Sequence, residues 1–288
     1  MTSRNPLPVL DNSAVSTFNQ CPRKFYYNYV LHYQKPISAP LHFGRVWHKM
    51  LDVWYSTGGD ETAAIVAGRT EWGDADFPND HRTFQRCWEA FTKYVKEYSS
   101  KAEHDATFGL REGAPLVEQA VVQQWPEIPL PYVGKIDRVI RAIDGYVYVN
   151  DHKTVSRMDS AFFRGFEMAS QMLGYTKLVS QFLGTRVMGV MVNAYNITPT
   201  GKTDKFVRQY IDLPEERVET WATKTLPDQM EAILRAYRMD DWVMNHEACN
   251  GKYGLCSYFD VCTMPERRRA SFLDLNYEIR EWNPLAAD

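Results

Sequence analysis

Apolar and aromatic positions recur at helical spacing from residue 12 to about 33 and again from 43 to 55, with Asn12 or Ser13 placed to cap the first helix. Two further helical stretches lie near 60–72 and 80–99. After Gly113 the period shortens. Residues 116–125, 132–143 and 146–153 are rich in Val, Ile and Tyr, and Asp144-Gly145 is a tight-turn pair, so the pattern predicts three consecutive strands, the last two joined as a hairpin. Helical periodicity returns over 159–183; residues 186–197 read as a buried strand, 205–212 as another strand and 214–246 as a long helix. Pro-containing segments at 6–8, 36–40 and 126–131 read as connections, and the chain has no internal repeat. The order describes an α/β fold with a central mixed sheet flanked by helices. The 288 residues read as one domain: a helical N-terminal part over 12–112, an α/β core over 113–212, and a C-terminal helix and cysteine-rich segment over 213–288.

Composition narrows the class. At 44% hydrophobic residues the chain has ample material for a core, yet no uninterrupted apolar run approaches the roughly 18 residues that a bilayer span requires, so no membrane partner is expected. The N-terminal MTSRNPLPVLDNS lacks the basic, apolar and small-residue regions of a secretory signal, which points to the cytoplasm. With 33 Lys+Arg against 36 Asp+Glu, the formal charge of -3 argues against coating nucleic acid by bulk positive charge and leaves only local basic patches. Five cysteines, an odd number without an export signal, do not suggest a disulfide framework; they point to buried thiols, a metal site, or both.

The chemistry concentrates in the hairpin. Gly134-Lys135-Ile136-Asp137-Arg138 lies on its first strand and Val149-Asn150-Asp151-His152-Lys153-Thr154 ends its second. Strand alternation puts Asp151 and Lys153 on one face. The short connection brings Asp137 alongside Asp151, and two carboxylates held close repel unless a cation or proton lies between them. A hard divalent cation resolves that conflict, lowers the pKa of a bound water and polarises a phosphoryl oxygen, while Lys153 orients the nucleophile or offsets charge on the phosphate. That is equipment for phosphodiester hydrolysis. An isolated D-x-K is more often a surface ion pair, so the wider context decides.

That context is G-x-x-D on one strand, D-x-K-T after two apolar-rich positions on the next, and Gln171-x-x-x-Tyr175 on a helix. Together they resemble the PD-(D/E)XK nuclease superfamily, specifically its RecB-like branch. Phe43-Gly44-Arg45-Val46-Trp47-His48 is similar to the G-x-x-x-H helix of that branch. The resemblance implies a restriction-endonuclease-like fold and Mg2+ or Mn2+ held by His48, Asp137, Asp151 and the backbone carbonyl of His152, with Lys153 completing the catalytic site. It also implies that Gln171 and Tyr175, one helical turn apart, shape the site and contact DNA. Asp151 stands where the family accepts Asp or Glu. Glu118, on the strand before the hairpin, either corresponds to an acidic residue that some members use near the metal through water or is a solvated strand-edge side chain.

Cys249, Cys256 and Cys262, with Gly251 and Gly254 between them, form a metal half-site wanting a fourth thiolate. Cys87 sits among apolar neighbours and reads as packing, which leaves Cys21. The run from Ser13 to Cys21-Pro22-Arg23-Lys24-Phe25-Tyr26 resembles the N-terminal C-P stretch of iron-sulfur nucleases in the same branch, among them AddB-type helicase-nuclease subunits, CRISPR-associated adaptation nucleases and phage relatives. The resemblance implies a 4Fe-4S cluster on Cys21, Cys249, Cys256 and Cys262. The first gap of the C-terminal trio is wider than the common C-x-x-C and reads as a loop insertion. Zinc is the alternative, since four thiolates also close a tetrahedral zinc site, although C-x-x-C knuckles are lacking.

Arg23, Lys24 and Lys35 alternate with Tyr26, Tyr27, Tyr29 and Tyr33, and Arg267, Arg268 and Arg269 follow the last cysteine. Interleaved cations and rings suit single-stranded DNA, though the same tyrosines could pack in a core and the arginines form a solvated face. The expected activity is a metal-dependent deoxyribonuclease, an exonuclease acting on single-stranded DNA or DNA ends in recombination, repair or phage DNA metabolism. Two alternatives stand beside it: DNA end processing for CRISPR adaptation, and a catalytically silent DNA-binding scaffold subunit, against which intact Asp137, Asp151 and Lys153 count. No helicase motif is present, so a helicase, recombinase or adaptation complex is the expected partner besides DNA.

Overall fold

The structure is a computed structural model and describes residues 8–99, 106–109, 113–251 and 254–285. Residues 6 and 7 of the first Pro-containing connection, and Lys252 and Tyr253 of the cysteine-rich segment, lie outside the described residues. In chain order the elements are β1 (Leu10–Asp11), α1 (Asn12–Gln20), α2 (Pro22–Phe25), β2 (Tyr33–Gln34), α3 (Ala39–Ser56), α4 (Glu61–Trp72), α5 (Phe84–Ser99), β3 (Ala106–Thr107), β4 (Val117–Gln123), β5 (Tyr132–Arg141) and β6 (Val147–Val155). They continue with α6 (Ser160–Gly165), α7 (Ser170–Leu183), β7 (Val187–Asn196), β8 (Lys205–Asp212), α8 (Glu215–Thr220), α9 (Leu226–Met239), β9 (Asn250–Gly251), β10 (Gly254–Leu255), α10 (Phe259–Thr263), α11 (Glu266–Asn276) and β11 (Glu278–Ile279). Contacts divide the chain into two compact units, one of residues 1–36, 122–134 and 220–288, the other of residues 37–121 and 135–219.

The second unit carries the mixed sheet, in the order β5-β6-β7-β8 with β3 and β4 also against β5. The β5/β6 and β7/β8 pairs are antiparallel and β6/β7 is parallel. A parallel pair needs a crossover, and α6 and α7 supply it. Strand β7 is buried along almost its whole length, which is why its sequence reads as a continuous apolar run. The residues of α3 at 43, 46, 47, 50, 51 and 54 form one apolar stripe, and they pack with Ala64, Phe91, Tyr94 and Tyr195 into a core. Each large side chain buried there contributes about 1.5–3 kcal/mol.

In the first unit, β1 runs parallel to the start of β5, with Leu10 paired to Tyr132, and β2 pairs antiparallel with β11. Phe25 stacks on Tyr29 and Trp242. A second cluster joins Tyr27, Tyr258, Val261, Leu273 and Tyr277, with Cys256 and Cys262 packed against it.

The mixed sheet with its helices is the predicted α/β architecture, consistent with a restriction-endonuclease-like arrangement. Several boundaries differ from expectation for identifiable reasons. The first helix starts earlier: Asp11, not Asn12 or Ser13, caps α1 by accepting from the Ala14 amide at 2.7 Å. Cys21 is extended, at φ -164°, because the residue before a proline avoids the helical region, so the predicted 12–33 helix breaks there. The third helix begins at Ala39 because a proline is tolerated in a first turn, and part of the 36–40 connection is therefore helical. The predicted helix over 214–246 is interrupted: Pro227 lacks an amide hydrogen, the preceding turn widens into a π turn at Trp221–Thr225, and α9 stops at Asp240, which has φ 48°.

Candidate active site

The antiparallel register sets Arg138 opposite Asn150 and Val139 opposite Val149, which carries Asp137 to the end of β6. There its Oδ2 accepts from the His152 amide at 2.7 Å. A helix must pass close by to add a ligand. Gly44 allows it: a Cβ at that position would lie 3.1 Å from Thr154 Oγ1, so the missing side chain lets α3 approach β6. One turn later His48 points at the hairpin, with Nε2 donating to the His152 carbonyl at 3.0 Å and Nδ1 3.5 Å from Asp137 Oδ1.

Glu118 completes the group. Its Oε1 is 3.9 Å from His48 Nδ1 and its Oε2 is 3.1 Å from Lys135 Nζ. Although β4 is a strand, Glu118 has φ 49°, a left-handed conformation that costs an L-residue about 1–2 kcal/mol and turns the strand locally. Ligand atoms of His48, Glu118 and Asp137 lie within 4.8 Å of one another, a spacing at which the three are able to hold a metal ion.

Beside them Asp151 is buried, with Lys153 Nζ 2.8 Å from Oδ1 and 2.7 Å from Oδ2. Burial would lower the His48 pKa, but the Asp137 and Glu118 carboxylates push it up to about 10. Burial would raise Asp137, yet the His48 charge and hydrogen bond, with the Lys153 charge, hold it well below the usual carboxylate range. Asp151 goes the other way: burial, reinforced by the Asp137 charge, raises it despite Lys153. Lys153 is raised because Asp151 and Asp137 outweigh its burial, and burial holds the His152 imidazole neutral.

The residues fit a divalent cation. Three carboxylates converge with one imidazole, a donor set suited to Mg2+ or Mn2+. Asp151 Oδ2 is buried and receives no hydrogen bond, only the Lys153 ion pair. In this arrangement, protonated His48 and Lys153 offset the carboxylate charge.

Of the other expected residues, Gln171 and Tyr175 meet each other, Nε2 to hydroxyl at 3.0 Å, on α7 where it packs against β6 and β7. Two sets of residues were not anticipated. Lys135 shares a strand face with Asp137 and binds Glu118, which its alternation with Asp137 could have signalled. A buried polar network behind His152, through Asn193, Tyr94, Tyr55 and Arg208, had no local signal because its members are scattered among apolar runs.

The cysteines share one neighbourhood in the first unit. The Asn245 amide donates to Cys21 Sγ at 3.4 Å, and the Cys256 amide donates to the Cys249 carbonyl at 2.9 Å. Burial raises the Cys249 and Cys262 thiols, and neighbouring Cys21 and Cys256 raise both further. Cys87 is buried against Met50, Sγ to Sδ 3.9 Å. Tyr27 and Tyr29, candidate stacking rings, are buried in the core because the turn after α2 points them inward. Arg267 and Arg268 are exposed, while Arg269 donates to the Met264 and Cys262 carbonyls.

No curated protein matches the chain. Among solved structures, one titled "Crystal structure of SSO0001" is similar at 11% identity and a TM-score of 0.33, covering 83% of this chain and 80% of that one, a likeness that carries nothing about activity. The model of a family described as the PD-(D/E)XK nuclease superfamily matches residues 12–263, a span that includes His48, Glu118, Asp137, Asp151 and Lys153. With the carboxylates and lysine converging as described, the chain belongs to the PD-(D/E)XK nuclease superfamily, and that membership points to nuclease activity.

Proposed function

We propose that the chain is a Mg2+- or Mn2+-dependent deoxyribonuclease of the RecB-like branch, an exonuclease acting on single-stranded DNA or DNA ends, with a 4Fe-4S cluster on its four grouped cysteines. The observation that carries the reading is the convergence of His48, Glu118 and Asp137 within 4.8 Å, next to the buried Asp151–Lys153 pair. His48, Asp137, Asp151 and the His152 carbonyl would hold the cation, with Glu118 beside them. A bound divalent cation supplies positive charge for the phosphoryl oxygens and acidifies water at the site. Lys153, held charged by Asp151, offsets the charge that grows on the phosphate during in-line displacement. Asp137 orients the His152 peptide, and Gln171 and Tyr175 brace each other at the adjacent helix. Exposed Arg267 and Arg268 suit phosphate contact. No helix among the described residues is long and apolar enough to cross a membrane.

The test uses labelled single-stranded DNA with Mg2+ or Mn2+. Asp151→Asn and Lys153→Ala are expected to slow degradation at least about 100-fold; variants as fast as the natural chain overturn the reading. Anaerobically prepared protein is expected to be brown, with about four irons per chain. Colourless protein with one zinc per chain would replace the cluster with zinc and leave the nuclease reading standing.

A further inference from the structure

Residue 152 is the hub of the candidate metal centre. Its backbone amide donates to Asp137, its carbonyl accepts from His48, and its buried ring, edge-on to that of His48 at 5.8 Å between centroids, meets the neighbouring strand. The parallel register of β6 and β7 sets it directly opposite Asn193. There Asn193 Nδ2 donates to His152 Nδ1 at 2.8 Å and to the Tyr94 hydroxyl at 2.6 Å.

The chain of contacts continues to a fixed donor. Arg208 Nη2 donates to the Tyr94 hydroxyl at 2.8 Å and the Tyr55 hydroxyl at 2.9 Å, and the guanidinium lies 3.6 Å from the Tyr98 ring centroid. A guanidinium has no acceptor, so both phenol oxygens must accept from it, and the two hydroxyls also bond each other at 2.8 Å. The ring of Tyr55 stacks on that of His152 at 5.9 Å between centroids, with 6° between planes. Asn193 is buried in the middle of a strand that is otherwise largely apolar. A buried amide contributes little to stability beyond what its bonds recover, and an apolar residue of similar volume would pack as well. The amide therefore has a task that packing does not supply.

We propose that Asn193, held by Tyr94 and Arg208, is a positioning residue: it fixes His152 in the tautomer protonated at Nε2 and so sets the two peptide groups that orient Asp137 and His48. The inference rests on the reading of that group as a divalent-metal centre, and it assigns Asn193 no contact with the cation or the substrate.

Two readouts test it, neither of which is cleavage. In the imidazole 15N spectrum of the metal-free chain, His152 is expected with an unprotonated, hydrogen-bonded Nδ1. In Asn193→Asp the carboxylate accepts only, and the tautomer is expected to switch to Nδ1–H. In Asn193→Leu and Tyr94→Phe, Mn2+ affinity measured by calorimetry is expected to fall about 10-fold or more, the usual effect of losing a partner that orients a ligand. Cys87→Ala, equally buried but outside the network, is expected to lose stability and keep its Mn2+ affinity. Tyr94→Phe keeps the ring and its packing, so it reports even if Asn193→Leu fails to fold. Protonated Nδ1 in the natural chain overturns the inference, as does unchanged Mn2+ affinity in both variants. A natural chain that binds no Mn2+ overturns the metal reading together with it, whereas Mn2+ binding by the natural chain with variants that match it overturns the inference alone.

Discussion

Glu118 sits at φ 49° inside a strand, and the strain can be measured by separating its backbone from its carboxylate. Glu118→Ala and Glu118→Gly both remove the interactions with Lys135 and His48 and the repulsion from Asp137, so those contributions cancel between the two variants. What remains is the main chain. Alanine retains the left-handed cost of about 1–2 kcal/mol, whereas glycine sheds it and gives back about 0.5–1 kcal/mol through its greater freedom in the unfolded chain. Glu118→Gly is therefore expected to be more stable than Glu118→Ala by about 1 kcal/mol. With a urea slope of about 2–3 kcal/mol/M, that is a midpoint higher by roughly 0.4 M, read by far-ultraviolet circular dichroism with equal slopes for both chains. Both variants are expected to cleave DNA more slowly than the natural chain, since the strained conformation turns the carboxylate toward His48. An alanine variant as stable as the glycine variant refutes the strain argument. Unimpaired cleavage by Glu118→Gly would reduce Glu118 to a solvated side chain.

Gly189→Ala is expected to destabilise the fold by at least about 3 kcal/mol, because its Cβ would lie 2.1 Å from the Ile211 carbonyl oxygen and 2.9 Å from the Leu213 amide, backbone atoms that no rotamer change can move; thermal melts within a degree of the natural chain would count against this. Asp204 accepts from the Thr198 amide and hydroxyl, Arg86 and the Tyr195 hydroxyl, and although burial would raise its pKa, these bonds lower it. Its stabilising contribution is therefore present above the unfolded value of about 3.9 and is lost as pH falls through the lower folded value. Asp204→Asn should be less stable by about 2 kcal/mol at pH 7, with the gap closing below about pH 4; a gap independent of pH in urea titrations would show that the charge is not what matters.

Much of this protein is legible from local pattern. The switch from helical to strand periodicity after Gly113, the Asp144-Gly145 turn and the alternation that puts Asp151 and Lys153 on one face are all properties of a few consecutive residues, and backbone geometry enforces them wherever the chain goes. The motif residues could be named for the same reason. Helix interruptions at Cys21 and Pro227 were in principle readable too, because proline acts on its immediate neighbours. The assembly of the site was not. His48 reaches a carbonyl 104 positions away only because Gly44 lets α3 close on β6, and register alone sets Asn193 beside His152. Glu118 was open to two readings, beside the metal or solvated at a strand edge, and nothing local signalled its left-handed backbone. Periodicity records which face of an element is apolar; which elements meet, at what register and with what strain, is settled by packing between segments distant along the chain, and the site's chemistry depends on those contacts.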